Sequence, residues 1–390
     1  MLRLFALTLL ILMCVRAQGT YAQVSSSPMQ NGAQIVSQES AFEDNSKVVN
    51  ATFDHNESLN FTAKIPRNFT IVPKDRLRAL EMNERFYGEL FEAYGPAIEL
   101  GLRPYFKVTS IDPIRVVSPK NWIKIQELTR GYKINDLKKL SGDDIEVLYV
   151  RLDEDGYTEV VKAKIFHHQN RLVAAEYVLP DRMYQDGRAM QDFVIDSFSF
   201  ENEFDRSATE RVNLFRSEGI SYEYPRTWRL DHERGDAVNR HEFFLEGIDS
   251  DQYIFTTMNL TLVASKSLRD RLDRTFYTVD LREEISTVQD MINELGFEVE
   301  DVLERHEFDF NFDTIINTTE VYPLKRQQHS VFVIEEEVPI SHEFWLSVIR
   351  TPKEIGKNYI ATLIVPSRRT NFEQWSYATD AYRHMLESIR

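Results

Sequence analysis

Two kinds of grouping in this sequence have residue types and spacing suited to chemistry. One is an acidic run with calcium-loop spacing. The other is a set of histidines each followed by glutamate. The run Asp309-Phe-Asn311-Phe-Asp313-Thr-Ile-Ile-Asn-Thr-Thr-Glu320 places oxygen donors at the first, third, fifth and twelfth positions, with Ile316 at the apolar eighth. That is the order in which a calcium loop surrounds its ion, but the sixth position must be glycine for the sharp turn. Here it is Thr314. Phe308, Phe310 and Phe312 alternate with polar neighbours, which is the pattern of a half-buried strand. Asp309, Asn311, Asp313 and Glu320 therefore stand as a calcium candidate against a strand reading, and the strand reading is preferred.

The His-Glu pairs begin at His232, His241, His306 and His342. A zinc-protease helix needs a second histidine four positions on, so that both rings face one metal. Those positions hold Asp236, Leu245, Phe310 and Leu346, so none of the four fits. His167-His168 sits beside a turn, and successive strand residues point to opposite faces, which separates the two rings. No Gly-x-Ser-x-Gly elbow, phosphate loop or dinucleotide fingerprint is present. No catalytic residue and no cofactor is expected from motifs. A serine, histidine and carboxylate brought together from distant positions would escape this reading.

Composition narrows the partners. The net charge is −16 over 390 residues, which argues against a nucleic acid or an anionic lipid surface. Hydrophobic residues make up 42%, enough for a sizeable core in each of two ordinary domains. The one cysteine, Cys14, falls in an N-terminal apolar run, leaving no disulfide or thiolate site beyond it. Arg3, the apolar stretch from Leu4 to Val15 and the small residues near Ala22 read as a signal peptide over residues 1–22, with a possible cut after Ala17 as an alternative. Met13 before Cys14 argues against a lipobox, and no later segment is apolar enough to span a bilayer. The expected location is therefore exported, periplasmic or extracellular. Residues 23–58 read as a polar linker. Asn50, Asn56, Asn60, Asn68, Asn259 and Asn317 each begin an Asn-X-Ser/Thr triplet, a glycan acceptor in a eukaryotic secretory protein and chance in a bacterial one.

The elements that would position any site come in two sets. Phe61-Thr-Ala-Lys-Ile-Pro66-Arg67-Asn-Phe69 is echoed by Ile220-Ser-Tyr-Glu-Tyr-Pro225-Arg226-Thr-Trp228. An apolar run ending in Pro180-Asp-Arg182 is echoed by another ending in Pro366-Ser-Arg368. Arg67 and Arg226 read first as locally paired strand-end residues and second as a binding pair. Between these landmarks the expectations for the first copy are a helix over 75–94, a strand from Phe106 broken by Pro113, and a short helix over 135–140. Three strands over 145–152, 157–167 and 171–179 and a helix over 188–200 complete it. The second copy is expected to hold a strand over 252–264 and a helix over 280–295. Strands over 330–336, 343–350 and 358–365 and a closing helix over 372–389 follow. This divides the chain into 59–202, a linker over 203–218, and 219–390.

A strand ending in apolar-Pro-x-x-aromatic, an antiparallel meander and a last helix after a Pro corner resemble the PsbP/Mog1/DcrB-like fold, in two tandem copies over about 59–390. The resemblance implies an α+β fold in which each copy is an antiparallel sheet flanked by helices, an α/β sandwich. It also implies a binding or assembly role rather than an enzymatic one, and it assigns no functional residue. The expected partner is another envelope or secreted protein. The alternatives are an envelope hydrolase with a site between the copies, or a solute- or metal-binding module.

Overall fold

A computed structural model describes residues 42–389, apart from 54–55, 78, 83–84, 99–100, 114, 169, 203–211, 218–219, 237–239, 249–253, 265–289, 291, 294–296, 300, 310–315, 327–339 and 351–356. Compactness separates Met1–Lys47 from Val48–Arg390. Of the first unit only residues 42–47 are described, and 42–45 are helical. The second unit carries two halves that differ in detail and agree in plan.

The first half holds β1 (Ser46–Ala51), β2 (Phe61–Pro66), β3 (Thr70–Ile71), β4 (Ala79–Met82), β5 (Arg85–Tyr94) and β6 (Tyr105–Asp112). Helix α1 (Pro119–Arg130) follows, then β7 (Lys133–Lys139), β8 (Ile145–Leu152), β9 (Thr158–His168) and β10 (Arg171–Pro180), and then α2 (Tyr184–Ser197) and β11 (Ser199–Phe200). The second half holds β12 (Val212–Ser217), β13 (Ile220–Pro225), β14 (Trp228–Asp236), β15 (Arg240–Ile248) and β16 (Ile254–Ala264). It continues with β17 (Phe297–Val299), β18 (Glu304–Asp309), β19 (Ile316–Arg326), β20 (Ile340–Arg350), β21 (Lys357–Pro366) and α3 (Phe372–Ser388). The fold is α+β, with the strand pairings of both large sheets antiparallel.

One chain path is used twice. The first large sheet has the order β3-β5-β6-β10-β9-β8-β7, with β4 also on β5. The second has the order β14-β15-β16-β21-β20-β19-β17, with β18 also on β19. In each, an outer hairpin leads inward, the last strand inserts beside it, and a three-strand meander runs outward again. In each, a helix follows the Pro corner directly: α2 after Pro180 and α3 after Pro366.

The meander of the first half forms because its strands alternate and its turns are built for the purpose. At the β8–β9 turn, Asp153 Oδ1 accepts from the amides of Asp155 and Tyr157 at 3.0 and 2.7 Å. Gly156 takes the left-handed conformation at φ 83°, which glycine adopts without a Cβ penalty. One face of this sheet packs Val147, Tyr149, Val161 and Ala174 under Trp122, Ile123 and Ile125 of α1. The other face carries α2, where the wholly buried Gln191 donates to the carbonyls of Val160 and Tyr177 at 3.1 and 2.8 Å. In the second half, Ala378, Ala381, Tyr382 and Met385 of α3 pack on Trp345, Ile349, Leu363 and Val365. Each fully buried large apolar side chain contributes about 2 kcal/mol.

Several expectations are met. Strands stand at 145–152, 158–168, 171–180, 254–264, 340–350 and 357–366, and helices at 184–197 and 372–388. β6 ends just before Pro113. Two helices are corrected to strands. Residues 85–94 form β5 and residues 133–139 form β7. Both carry a register shift, between Glu89 and Phe91 and between Ile134 and Asp136. A bulge places residues three apart on one face where a regular strand would place them two apart. That spacing imitates a helix, as with Ile134 and Leu137, which pack on the same core. The helix α1 was not expected. β1 and β12 lie inside the stretches read as linkers, 23–58 and 203–218. The helix expected over 280–295 and the strand expected over 330–336 fall mostly or wholly outside the described residues.

Candidate functional site

Of the calcium candidate, Asp309 and Glu320 lie on the two paired strands β18 and β19. Asp309 ends β18 opposite Ile316, while Glu320 lies on β19 opposite Arg305. Four ladder steps separate the two positions, about 13 Å at the rise of a strand. Asn311 and Asp313 fall outside the described residues. Glu320 accepts from the Tyr322 hydroxyl and lies 3.0 Å from Arg305 Nε. His232, His241, His306 and His342 all stand on strands, β14, β15, β18 and β20. Among the described residues no three His, Cys, Asp or Glu side chains are grouped to hold a metal ion. Arg67 and Arg226 are exposed, each at a turn, while the aromatics that come two residues later, Phe69 and Trp228, are buried. The repeated Pro-Arg motif thus anchors a strand end through its aromatic. His168 is wholly buried, stacks on Phe200 and has its Nε2 3.1 Å from the Ser58 hydroxyl. Burial, together with Arg171 and His167, lowers its pKa to about 4.

Among the described residues several clusters of ionisable side chains come together, three of them built around an arginine. The first lies on the α1-facing side of the first sheet. Arg151 Nε donates to Glu159 at 2.8 Å, one terminal nitrogen to the Tyr105 hydroxyl at 2.8 Å, and the other to Tyr149 at 3.3 Å. Tyr149 in turn donates to Glu176 at 2.7 Å, and Lys107 lies 3.6 Å from the same carboxylate. Burial opposes the Arg151 charge, but Glu176 and the surrounding tyrosines more than offset it. Burial likewise opposes the Glu176 carboxylate, and Arg151 and Lys107 hold it below the usual range. Two acids and two bases balance here. Such a network holds neighbouring strands in register and commits all three Arg151 nitrogens to groups of the sheet.

The second cluster caps the last corner. Arg368 Nε donates to Glu343 at 2.8 Å and a terminal nitrogen to Glu304 at 2.6 Å, with the guanidinium 4.7 Å from the Trp375 ring centre. Glu343 is 1% exposed and also accepts from the indoles of Trp345 and Trp375 at 3.2 and 2.8 Å.

The third cluster joins the two halves, and it is the strongest candidate for a functional site. Ser118 caps α1, accepting from the Asn121 amide, with Pro119 at the first helical position and Gly131 at φ 69° closing the other end. Asp380 of α3 reaches across to this start. Its Oδ2 accepts from the Ser118 amide at 2.7 Å and from the Asn121 side chain at 2.9 Å. A carboxylate at a helix start is favoured by the exposed amides and the helix dipole. One turn on, Arg383 donates to Asp143 of the β7–β8 turn at 2.9 and 3.3 Å and lies 3.6 Å from Asp380. Glu387 is 4.0 Å away. Burial pushes the Asp380 and Glu387 carboxyls above the usual range, partly countered by Arg383. On another side of α3, His384 lies 3.3 Å from Glu223 of β13, and burial lowers its pKa. Arg115, over the Tyr377 ring, donates to the Ile248 carbonyl and adds a second tie between the halves.

Sequence reading missed these residues because each pairs with a partner far along the chain. The capping signal Ser118-Pro119 and the closing Gly131 were present in the sequence. The buried face of α1, however, includes Asn121 and Gln126, so an apolar stripe alone does not reveal it.

Neither a protein-family profile nor a curated protein matches the chain. The chain is similar in structure to the cyanobacterial PsbP (CyanoP) of Synechocystis sp. PCC 6803, with 13% identity, coverage of 49% of this chain and 98% of that one, and a TM-score of 0.31. It is also similar to the Saccharomyces cerevisiae Ran-binding protein Mog1p, with 11% identity, coverage of 40% and 95%, and a TM-score of 0.26. The likeness is one of fold. Among the described residues no helix is long and apolar enough to cross a membrane.

Proposed function

We propose that the protein is an exported, periplasmic or extracellular, two-domain binding or assembly factor whose partner is another envelope or secreted protein. The supporting observation is what occupies the junction between the halves. A catalytic arrangement there needs a histidine between a carboxylate and a nucleophile. Asp380 instead accepts from the Ser118 amide and from Asn121, and His384 faces Glu223. Asp380 is used to fasten α3 to α1, and His384 to hold α3 against β13. A rigid pair of sheets presenting loops at its ends is a scaffold for recognition, and the acidic surface favours solubility and a basic or neutral partner face.

The test is affinity capture with the mature chain, residues 23–390, from the envelope fraction of its host, with binding then measured on the purified pair. A stoichiometric complex that survives moderate salt is expected. A folded bait that retains no protein, yet hydrolyses ester or amide probes in a Ser118-dependent manner, would overturn the proposal in favour of an envelope hydrolase.

A further inference from the structure

Residues 120–139 carry Lys120, Lys124, Arg130, Lys133, Lys138 and Lys139 against Glu127 and Asp136, six cations to two acids in a chain whose net charge is −16. Among the described residues no ion pair joins any of the six to a carboxylate. The acids that border them are engaged. Glu127 accepts from the Ile134 amide at 3.2 Å, Asp143 is held by Arg383, Asp144 accepts from the His167 amide, and Glu146 lies 3.2 Å from Lys162. Asp136 is exposed.

The fold gathers these cations. β7 is the outermost strand of its sheet, so one side of its backbone meets no strand. α1 carries Lys120 and Lys124 one turn apart, on the side away from the buried Trp122, Ile123 and Ile125. The Glu127–Ile134 bond ties the end of α1 to the start of β7. Asp143 of the β7–β8 turn, Arg383, Asp380 and Ser118 link the end of β7 to the start of α1. Helix and strand thus run side by side in opposite directions. Lys139 pairs with Ile145 and stands on the α1 side of the sheet, whereas Lys133 and Lys138 pair with Val150 and Glu146 and stand on the other. The cations therefore wrap the free edge. Lysines on an edge strand commonly guard it against stray pairing. Lys120, Lys124 and Arg130 belong to a helix, and guarding the edge does not call for them.

We propose that this edge takes an extended acidic segment of a partner protein, laid along β7 with its carboxylates reaching the cations on both sides. This rests on the reading of the chain as a binding factor and names the chemistry of what it binds. A strand sends successive side chains to opposite faces, so an acidic strand meets Lys139 and the α1 cations on one side and Lys133 and Lys138 on the other. Main-chain bonds to β7 supply affinity, and the lysines supply choice. A basic segment is repelled, and an apolar one gives the lysines no partner. The net acidity of the rest of the chain turns such a segment away, which steers its approach to this edge.

The experiment is fluorescence anisotropy with the purified chain and a labelled glutamate peptide of about ten residues, the length of a long strand. It is run at about 0.15 M salt, where distant charges are screened. Saturable binding is expected, well above that of a glutamine peptide of the same length. Lys120→Gln, Lys133→Gln, Lys138→Gln and Lys139→Gln, all at exposed positions, should together weaken it about tenfold, the summed effect of four exposed ion pairs. Removing as many charges at exposed positions elsewhere, by Arg76→Gln, Arg182→Gln, Arg226→Gln and Arg369→Gln, should change it less than about twofold. If the four-lysine variant does not fold, Lys133→Gln with Lys138→Gln decides the matter, with a loss of about threefold expected. No binding by the parent, or equal losses in the two sets, overturns the proposal. So does an oligonucleotide of equal charge that binds more tightly through the same lysines, because it assigns the edge to phosphate. The two readings separate in the capture experiment. A partner retained in full by the four-lysine variant overturns the acidic edge while the binding reading stands. Peptide binding lost with the lysines supports the edge even where no partner is captured.

Discussion

The two Pro-x-Arg corners are alike in sequence and unlike in what they hold. Pro366-Ser-Arg368 follows β21, and Arg368 is clamped by Glu343 and Glu304 against Trp375. Pro180-Asp-Arg182 follows β10, and Arg182 is exposed. The ladders show why. Pro180 pairs with Glu159 and Leu179 with Val160. Pro366 pairs with His342 and Val365 with Glu343. Val160 is therefore the first-half position that Glu343 fills in the second. It is 4% exposed beneath α2, with no acid to draw Arg182 inward. The first half places its buried guanidinium elsewhere, at Arg151, whose carboxylate Glu159 is the ladder neighbour of Val160 and so points to the opposite face. A repeated corner conserves a chain path, and one strand residue beside it decides whether its arginine is structural or solvated.

The comparison breaks most visibly if the acid is moved. Val160→Glu would bury a carboxylate under α2 beside Gln191, where the nearest cation along the strand, Lys162, is already engaged by Asp192 and Glu146. We expect a loss on the order of 5 kcal/mol, or failure to fold, in denaturant unfolding. Rescue to parental stability by Arg182 swinging inward would refute the account. Next in size, Glu343→Ala removes the acceptor of two indoles and of Arg368. The expected cost is about 3 kcal/mol, with Trp375 fluorescence altered. Arg368 is 28% exposed and can turn to water, which keeps the figure at the low end of the range for breaking a buried pair.

Much of this architecture was legible in the sequence, and the failures have a common cause. The meander, both closing helices and the paired Pro corners follow from period-two and period-3.6 patterns. β5 and β7 were misread because their bulges turn alternation into three-residue spacing. α1 escaped because it buries Asn121 and Gln126 beside its apolar residues. The ionic clusters were invisible for a different reason. Glu343 looked like half of a His-Glu dipeptide, and its meaning lies in Arg368 and Trp375, which only the β20–β21 ladder and α3 bring near. Asp380 had no motif at all.

A smaller effect sharpens the contrast at the far end of β9. The first half keeps His168 wholly buried and neutral against Phe200 and Ser58. Its pKa of about 4 lies below the ordinary histidine value near 6.5. The unfolded chain thus binds more protons between these values. The stability His168 contributes is complete above about pH 6.5 and is lost as pH falls through that window, by at most about 3 kcal/mol. Denaturation midpoints at several pH values, compared with His168→Gln, measure it. Equal acid slopes in the two proteins would remove His168 from the explanation.

The smallest expected effect is the most discriminating. Arg182→Ala should change stability by less than about 0.5 kcal/mol, the usual range for an exposed side chain away from special features. Arg368→Ala should cost roughly 3 kcal/mol, because it leaves Glu343 buried without its cation. The two substitutions remove the same residue from the same motif, so chemical differences between side chains cancel and only the surroundings remain. A large effect at Arg182 in unfolding measurements would mean that the exposed arginine carries a load its surroundings do not show. Equal effects at both corners would undo the reading that the residue opposite the corner, Val160 or Glu343, sets the role of its arginine.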